Sequence, residues 1–172
     1  MRSSTVLAYV LLVGIGCSTT YPNRNPVGEL FPEVNGQTLT EEPRDLPGYF
    51  HGSKVVFILG YEQDSQFDID RWLIGLDQTS TPVTAYEIPT IQGLFPRMFK
   101  TRIDSGMRSG IPEELWGGVI TIYGDGAQVQ QFTGNESANT ARVVLLDENG
   151  RVIYFHDRGF SVPALNGLRE RL

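Results

Sequence analysis

Five consecutive apolar residues, Val55-Val56-Phe57-Ile58-Leu59, leave no position to face water. Such a run suits a strand buried on both faces, as in a mostly parallel sheet. Gly60–Ser65 ends it, and the period then changes: Ile69, Trp72, Leu73 and Leu76 fall on one stripe of an amphipathic helix. Ser65 and Asp68 are expected to cap its N-terminus. Strand, short loop and amphipathic helix open a βαβ unit.

Upstream, Leu30–Leu39 carries apolar residues on both sides of Asn35-Gly36, a hairpin signal that predicts two short strands, with a loop over Glu41–Gly48. Downstream, Pro82–Ile91 reads as a second strand, interrupted at Pro89 and so short or near an edge. Phe95–Met107 predicts a second helix with Met98, Phe99, Ile103 and Met107 inward, and Gly118–Tyr123 a third strand. Gly124-Asp125-Gly126 reads as a turn, and Ala127–Phe132 as a short strand or loop. Arg142–Leu146 and Arg151–Phe155 flank Asp147–Gly150, which fits a type I turn, and predict a β-hairpin. Ser161–Leu172 reads as a closing helix with Ser161 as cap, Pro163 in the first turn, and Leu165, Leu168 and Leu172 on one face. The class is α/β, a central mixed sheet with flanking helices.

The N-terminus follows a different logic. Arg2 precedes an apolar stretch that ends in small residues before Cys17. The stretch is shorter than the ~20 apolar residues that span a bilayer and has the regions of a secretory signal. Val13-Gly14-Ile15-Gly16-Cys17 resembles a bacterial lipoprotein signal, departing from it at Gly14, where that signal usually has Leu. An ordinary signal peptide with an incidental cysteine is the alternative. The resemblance implies that Cys17 receives acyl (palmitate) chains and becomes the new N-terminus, a membrane anchor that does not span. It places the chain in the bacterial cell envelope. Ser18, where inner-membrane retention would show Asp, favours the outer membrane with the domain facing the periplasm. The domain organisation is then a signal over 1–16, a lipidated cysteine and polar tether over 17–28, and one domain over 29–172.

Charge and cysteine usage narrow the function. The chain carries a formal net charge of −6 with its acids scattered, and has no basic stripe for phosphates, which argues against a nucleic-acid partner. Cys17 is the single cysteine, so no disulfide forms within the domain and its core holds by burial alone.

The order hairpin, β, α, β, α, β, β-hairpin, helix resembles the thioredoxin-like fold of the redoxins. Lys54–Gly60 looks like the strand that carries the redox loop, and Val143–Val152 resembles the hairpin of membrane-tethered thioredoxin-like thiol reductases. Phe31-Pro32, Gly36, Leu39, Leu46, Leu146-Asp147 and Gly150 are similar to the pattern of the mitochondrial ATP synthase assembly-factor family, whose thioredoxin-like domain also lacks a catalytic cysteine pair. The resemblance covers most of residues 28–172. It implies a groove beside the active loop that binds extended peptides.

The departures carry as much weight. Where redoxins place Cys-x-x-Cys or a peroxidatic cysteine, this chain has Gly60-Tyr61-Glu62-Gln63-Asp64-Ser65-Gln66. Thiol exchange needs a thiolate nucleophile, so redox catalysis is disfavoured. Asn139-Thr140-Ala141 stands where the cis-proline of thioredoxins is expected.

The candidate site is therefore a polar loop. Gln63, Asp64, Ser65 and Gln66 follow a central strand, where open α/β sheets bind ligands; a helix cap in a solvated loop is the plain alternative. Arg108, with Arg102, is placed to bind an anion or to join Gln63 and Asp64 in one pocket. Ser65 has no Gly-x-Ser-x-Gly elbow. His51 and His156 are the only histidines, which leaves no metal set, and no cofactor is expected. Gly124-x-Gly126 lacks the third glycine of a phosphate loop and a clear following helix. An exposed Trp116 beside Gly117-Gly118 would mark a binding surface. Two functions follow: a non-catalytic envelope lipoprotein that binds a protein partner in an assembly or chaperone-like role, or a small-molecule binder or non-thiol enzyme built on the polar loop.

Overall fold

A computed structural model describes residues 19–92 and 100–172. Four strands form the main sheet in the order β4-β3-β6-β7: β3 (Val55–Gly60), β4 (Thr84–Pro89), β6 (Arg142–Leu146) and β7 (Val152–His156). β3 runs parallel to β4 and antiparallel to β6, so the sheet is mixed. The apolar runs explain its centre. Phe57 and Leu59 of β3 with Val144 and Leu146 of β6 enter one core. Val56 and Ile58 with Val143 and Leu145 enter the other. Helices α1 (Gln66–Gln78) and α4 (Val162–Arg169) cover the second face through Ile69, Trp72, Leu76, Leu165 and Leu168. Ser161 Oγ caps α4, accepting from Ala164 N at 3.2 Å, as its sequence predicts.

The N-terminal hairpin is shifted from its expected place. β1 (Val34–Thr38) runs straight through Asn35-Gly36, and the chain reverses after it to enter β2 (Pro43–Leu46), where a loop is expected. Glu41, with φ 69°, supplies the left-handed residue of that reversal. Gly36 serves close packing instead of a turn: a Cβ there would lie 2.5 Å from Ile120 Cγ2. Pro43 sits at the first residue of an edge strand, a position that tolerates its missing N–H.

Two further elements differ from expectation. The third strand shrinks to β5 (Ile120–Thr121), because Glu113–Gly118 winds into a 3₁₀ turn. β5 pairs with β1, and bridges at the flanking Val119 and Ile122 join it to Glu87 of β4 and to Thr90 just after that strand. Gly126–Thr133 is a helix, α3, and not a strand. Its inward residues Val129, Gln130 and Thr133 keep a helical spacing, but two of the three are polar and leave no apolar stripe to read. Helix α2 (Lys100–Gly110) matches the described part of the second expected helix; Met98 and Phe99 lie outside the described residues. Buried Asp104 fixes α2, paired with Lys100 Nζ at 2.7 Å and accepting the Tyr123 hydroxyl. Burial beside that carboxylate pushes the Tyr123 phenol well above its ordinary value.

Candidate functional site

β3 ends at Gly60, and Gln63–Ser65 forms a single 3₁₀ turn that hands the chain to α1. Ser65 is buried and its hydroxyl donates back to Glu62 O at 2.7 Å, so it does not cap α1 through its side chain. Asp68, the other half of the expected cap, faces inward. Its Oδ2 accepts from Ala141 N at 2.9 Å and its Oδ1 from Phe160 N at 2.6 Å. The carboxylate thus ties α1 to the segments before β6 and before α4, a long-range role that local spacing does not reveal.

Gln63, Asp64, Ser65 and Gln66 all line one groove of about 1130 Å³ on the β4 side of β3. Its other walls come from β4, the inner side of α2, and the 3₁₀ turn at Glu113–Gly118. Phe67 (77 % exposed) and Leu115 (56 % exposed) also line it from α1 and from that turn. Ile69, Leu73, Ile103, Met107 and Ile111 make its surface largely apolar.

Glu87 belongs to the same groove and is a residue that the loop-centred reading misses. It pairs with Ile58, whose side chain packs on the α1 face of the sheet, so the alternation of β4 directs Glu87 to that face as well. An acid at an inward strand position, within Tyr86-Glu87-Ile88, is the signal that could have found it. Glu87 is 7 % exposed. Gln66 Nε2 bridges it to Asp70, 3.5 Å from Glu87 Oε2 and 3.0 Å from Asp70 Oδ1. Burial raises the Glu87 carboxyl above its ordinary range; the Gln66 bond opposes the rise and the Asp70 charge adds to it.

The β6 side of the loop is filled. Arg142, fully buried, donates from Nη1 to Ser137 O at 2.7 Å and Thr140 O at 2.8 Å, and from Nη2 to Asn23 Oδ1 at 3.2 Å. Its guanidinium lies 5.1 Å from the centre of the Tyr61 ring, and the Tyr61 hydroxyl shares a hydrogen bond with Thr133. Burial pushes the Tyr61 phenol up and lowers Arg142 from its ordinary value. Residues 19–28, read from sequence as a tether, lie on this face. Tyr21 N donates to Asn135 Oδ1 at 2.6 Å, and Arg24 N to Thr133 O at 3.3 Å. Gly134, with φ 77°, admits the segment: a Cβ there would meet Asn23 Cα at 2.3 Å.

Arg108 is not brought to Gln63 and Asp64. It donates to Leu39 O from Nε at 2.9 Å and from Nη2 at 2.7 Å, and pairs with Glu41. Arg102 of the same helix lines the groove instead. Trp116 is half-buried, with its Nε1 donating to Ile111 O at 2.9 Å; Leu115 is the exposed large apolar residue of that turn. His156 bonds Gly159 O through Nε2 at 2.8 Å, and His51 is exposed. A helix does follow Gly124-Asp125-Gly126, but Asp125 accepts from Asn35 N at 2.8 Å and holds β1. Cys17 lies outside the described residues. Among the described residues no His, Cys, Asp and Glu side chains gather into a metal-binding group, and no helix is long and apolar enough to cross a membrane.

No protein-family model matches the chain, and no curated protein does. Solved structures do. The thioredoxin domain of a thiol-disulfide oxidoreductase from Bacteroides vulgatus matches with a TM-score of 0.56 at 15% identity, over 86% of this chain and 98% of that one. An exposed lipoprotein thioredoxin from Streptococcus pneumoniae gives 0.57 at 9% identity, over 82% and 100%. A SCO1/SenC family lipoprotein from Bacillus anthracis gives 0.58 at 11% identity, over 87% and 97%. At these identities the likeness speaks for architecture: the chain is an α/β protein with a thioredoxin-like fold and no thiol in the loop where redoxins carry theirs.

Proposed function

We propose that this chain is a non-catalytic thioredoxin-like envelope lipoprotein, anchored through Cys17, that binds a segment of a protein partner in an assembly or chaperone-like role. One observation carries the reading: the open groove beside Gly60–Gln66 is lined by apolar side chains and rimmed by exposed Phe67 and Leu115. Large apolar side chains left in water around a concavity mark interaction surfaces. The absent loop thiol leaves that concavity as a place to bind and not to exchange disulfides. Two of the structurally similar proteins are themselves lipoproteins, which agrees with the Cys17 signal.

The test is photocrosslinking in the native host, with p-benzoylphenylalanine replacing Phe67 or Leu115, and replacing the equally exposed Val162 on α4 as control. Reproducible protein adducts from 67 and 115, absent at 162, are the expected result. Silence at both groove positions, with the protein present at normal level, overturns the reading.

A further inference from the structure

The chemistry of the groove narrows what its occupant is. Among the described residues lining it, Glu62, Asp64, Asp70 and Glu87 are acidic and Arg102 is the one base. Three of these acids are exposed, and alone they would be a solvated rim. Glu87 is different, because it is buried in the wall. Its Oε2 has one long bond to Gln66, and its Oε1 accepts no hydrogen bond among the described residues. A carboxylate in so buried a position is poorly compensated until a cation or further donors join it. Asp70, bridged to it by the same Gln66 amide, adds a second negative charge and no donor. Two carboxylates joined by one amide thus line an otherwise largely apolar surface.

We propose that the groove takes an extended segment of a protein partner in which a lysine or arginine lies between apolar side chains, with its cation seated against Glu87 and Asp70. The inference rests on the groove being a protein-binding site. A volume of about 1130 Å³ exceeds what a single small amine fills. Phe67 and Leu115 offer apolar contacts for flanking side chains, as an amphipathic segment requires. The aliphatic stem of lysine or arginine can lie along apolar wall residues such as Leu73 while the head reaches the acids. Charge complementarity of this kind sets specificity and speeds encounter.

The experiment selects a phage-displayed random octapeptide library on the immobilised full-length chain, then measures the recovered peptides as synthetic probes against wild type, Glu87→Gln, Asp70→Asn and the double variant Phe67→Ser/Leu115→Ser. Expected are peptides rich in lysine or arginine between apolar residues. Their binding should weaken roughly tenfold or more with Glu87→Gln, and fall with added salt. Replacement of the peptide's basic residue by norleucine should abolish that dependence on residue 87. Apolar peptides that need Phe67 and Leu115 but ignore residues 70 and 87 overturn this inference and leave the proposed function standing. Peptides indifferent to all four residues overturn both. Displacement of the peptide by millimolar hexylamine, at the affinity of the peptide itself, also overturns it, by assigning the acids to a small amine. Circular dichroism of each variant confirms that lost binding is not lost folding.

Discussion

Gly36→Ala tests where the N-terminal hairpin turns. A methyl at residue 36 would stand 2.5 Å from Ile120 Cγ2, whereas carbon atoms pack at about 3.5–4.0 Å. Ile120 is fully buried in β5, and Cγ2 hangs directly on Cβ, so it retreats only with χ1 or with the strand. Overpacking of this kind costs about 1–3 kcal/mol. Gly36 is not among the glycines with positive φ, so alanine there adds no backbone strain. It recovers about 0.4–1 kcal/mol by restricting the unfolded chain. The net expectation is a loss of about 1–2 kcal/mol, read as the shift of a urea midpoint at constant slope.

The decisive measurement is the double-mutant cycle. Ile120→Ala costs about 2–5 kcal/mol alone, and it removes the atom with which the new methyl at residue 36 collides. In that background Gly36→Ala becomes neutral or stabilising, a coupling of about 1–3 kcal/mol. An equal cost of Gly36→Ala in both backgrounds refutes the packing argument. A turn at Asn35-Gly36 would give that result, since a left-handed glycine is strained by alanine whatever stands at position 120.

Asp68→Asn replaces one carboxylate oxygen by a donor facing either Ala141 N or Phe160 N. Hydrogen bonds to a charged acceptor are worth about 1.5–3 kcal/mol, so a loss of that order is expected by denaturant unfolding; a loss under about 0.5 kcal/mol would contradict the assigned role. Glu87→Gln acts the opposite way. Burial raises the folded-state carboxyl above its unfolded value, so the folded state holds the proton more tightly. Wild-type stability then falls as pH rises from the ordinary carboxylate value through the raised one. Among the described residues, Gln66 and Asp70 of α1 act on it most directly, and neither supplies a positive charge. Glu87→Gln should match wild type near about pH 4 and exceed it near about pH 7; urea curves at both values check this, and a variant less stable at neutral pH would refute it.

Long-period features were legible in the sequence and local exceptions were not. β3, α1, the β6–β7 hairpin and α4 each carry an apolar run or stripe of one clear period, and all four lie where the pattern puts them. Asn35-Gly36 misled because the same dipeptide serves a turn and a close strand crossing, and only the partner atom at Ile120 distinguishes them. α3 was hidden because Val129 is the one large apolar side chain it buries, beside polar Gln130 and Thr133. The loop Gln63–Gln66 was found from its place after a central strand, but its partners were not. Gln66 reaches Glu87 across 21 positions. Arg108, which folding was expected to bring in as a third member, is held by a backbone carbonyl of Leu39 that no local pattern announces.

These residues divide the loop after β3 into two unlike sides. On the β6 side, Ala141 keeps an N–H that proline would lack and gives it to Asp68, while Arg142, Tyr61 and Asn23 occupy the space next to it. That side is consolidated as core, at the cost of burying a guanidinium with no carboxylate in ion-pair reach among the described residues. On the β4 side the loop stays open, and β4 carries an acid where its alternation assigns an inward residue. Local rules are broken on both sides, but only one break faces solvent-accessible space. An internal exception such as Arg142 is answered in part: Nη1 and Nη2 reach three acceptors, while its buried Nε has no hydrogen-bond partner among the described residues. Glu87 has a single long bond from Gln66 among the described residues and lines the open groove, which is why the proposed basic side chain is assigned to the β4 side.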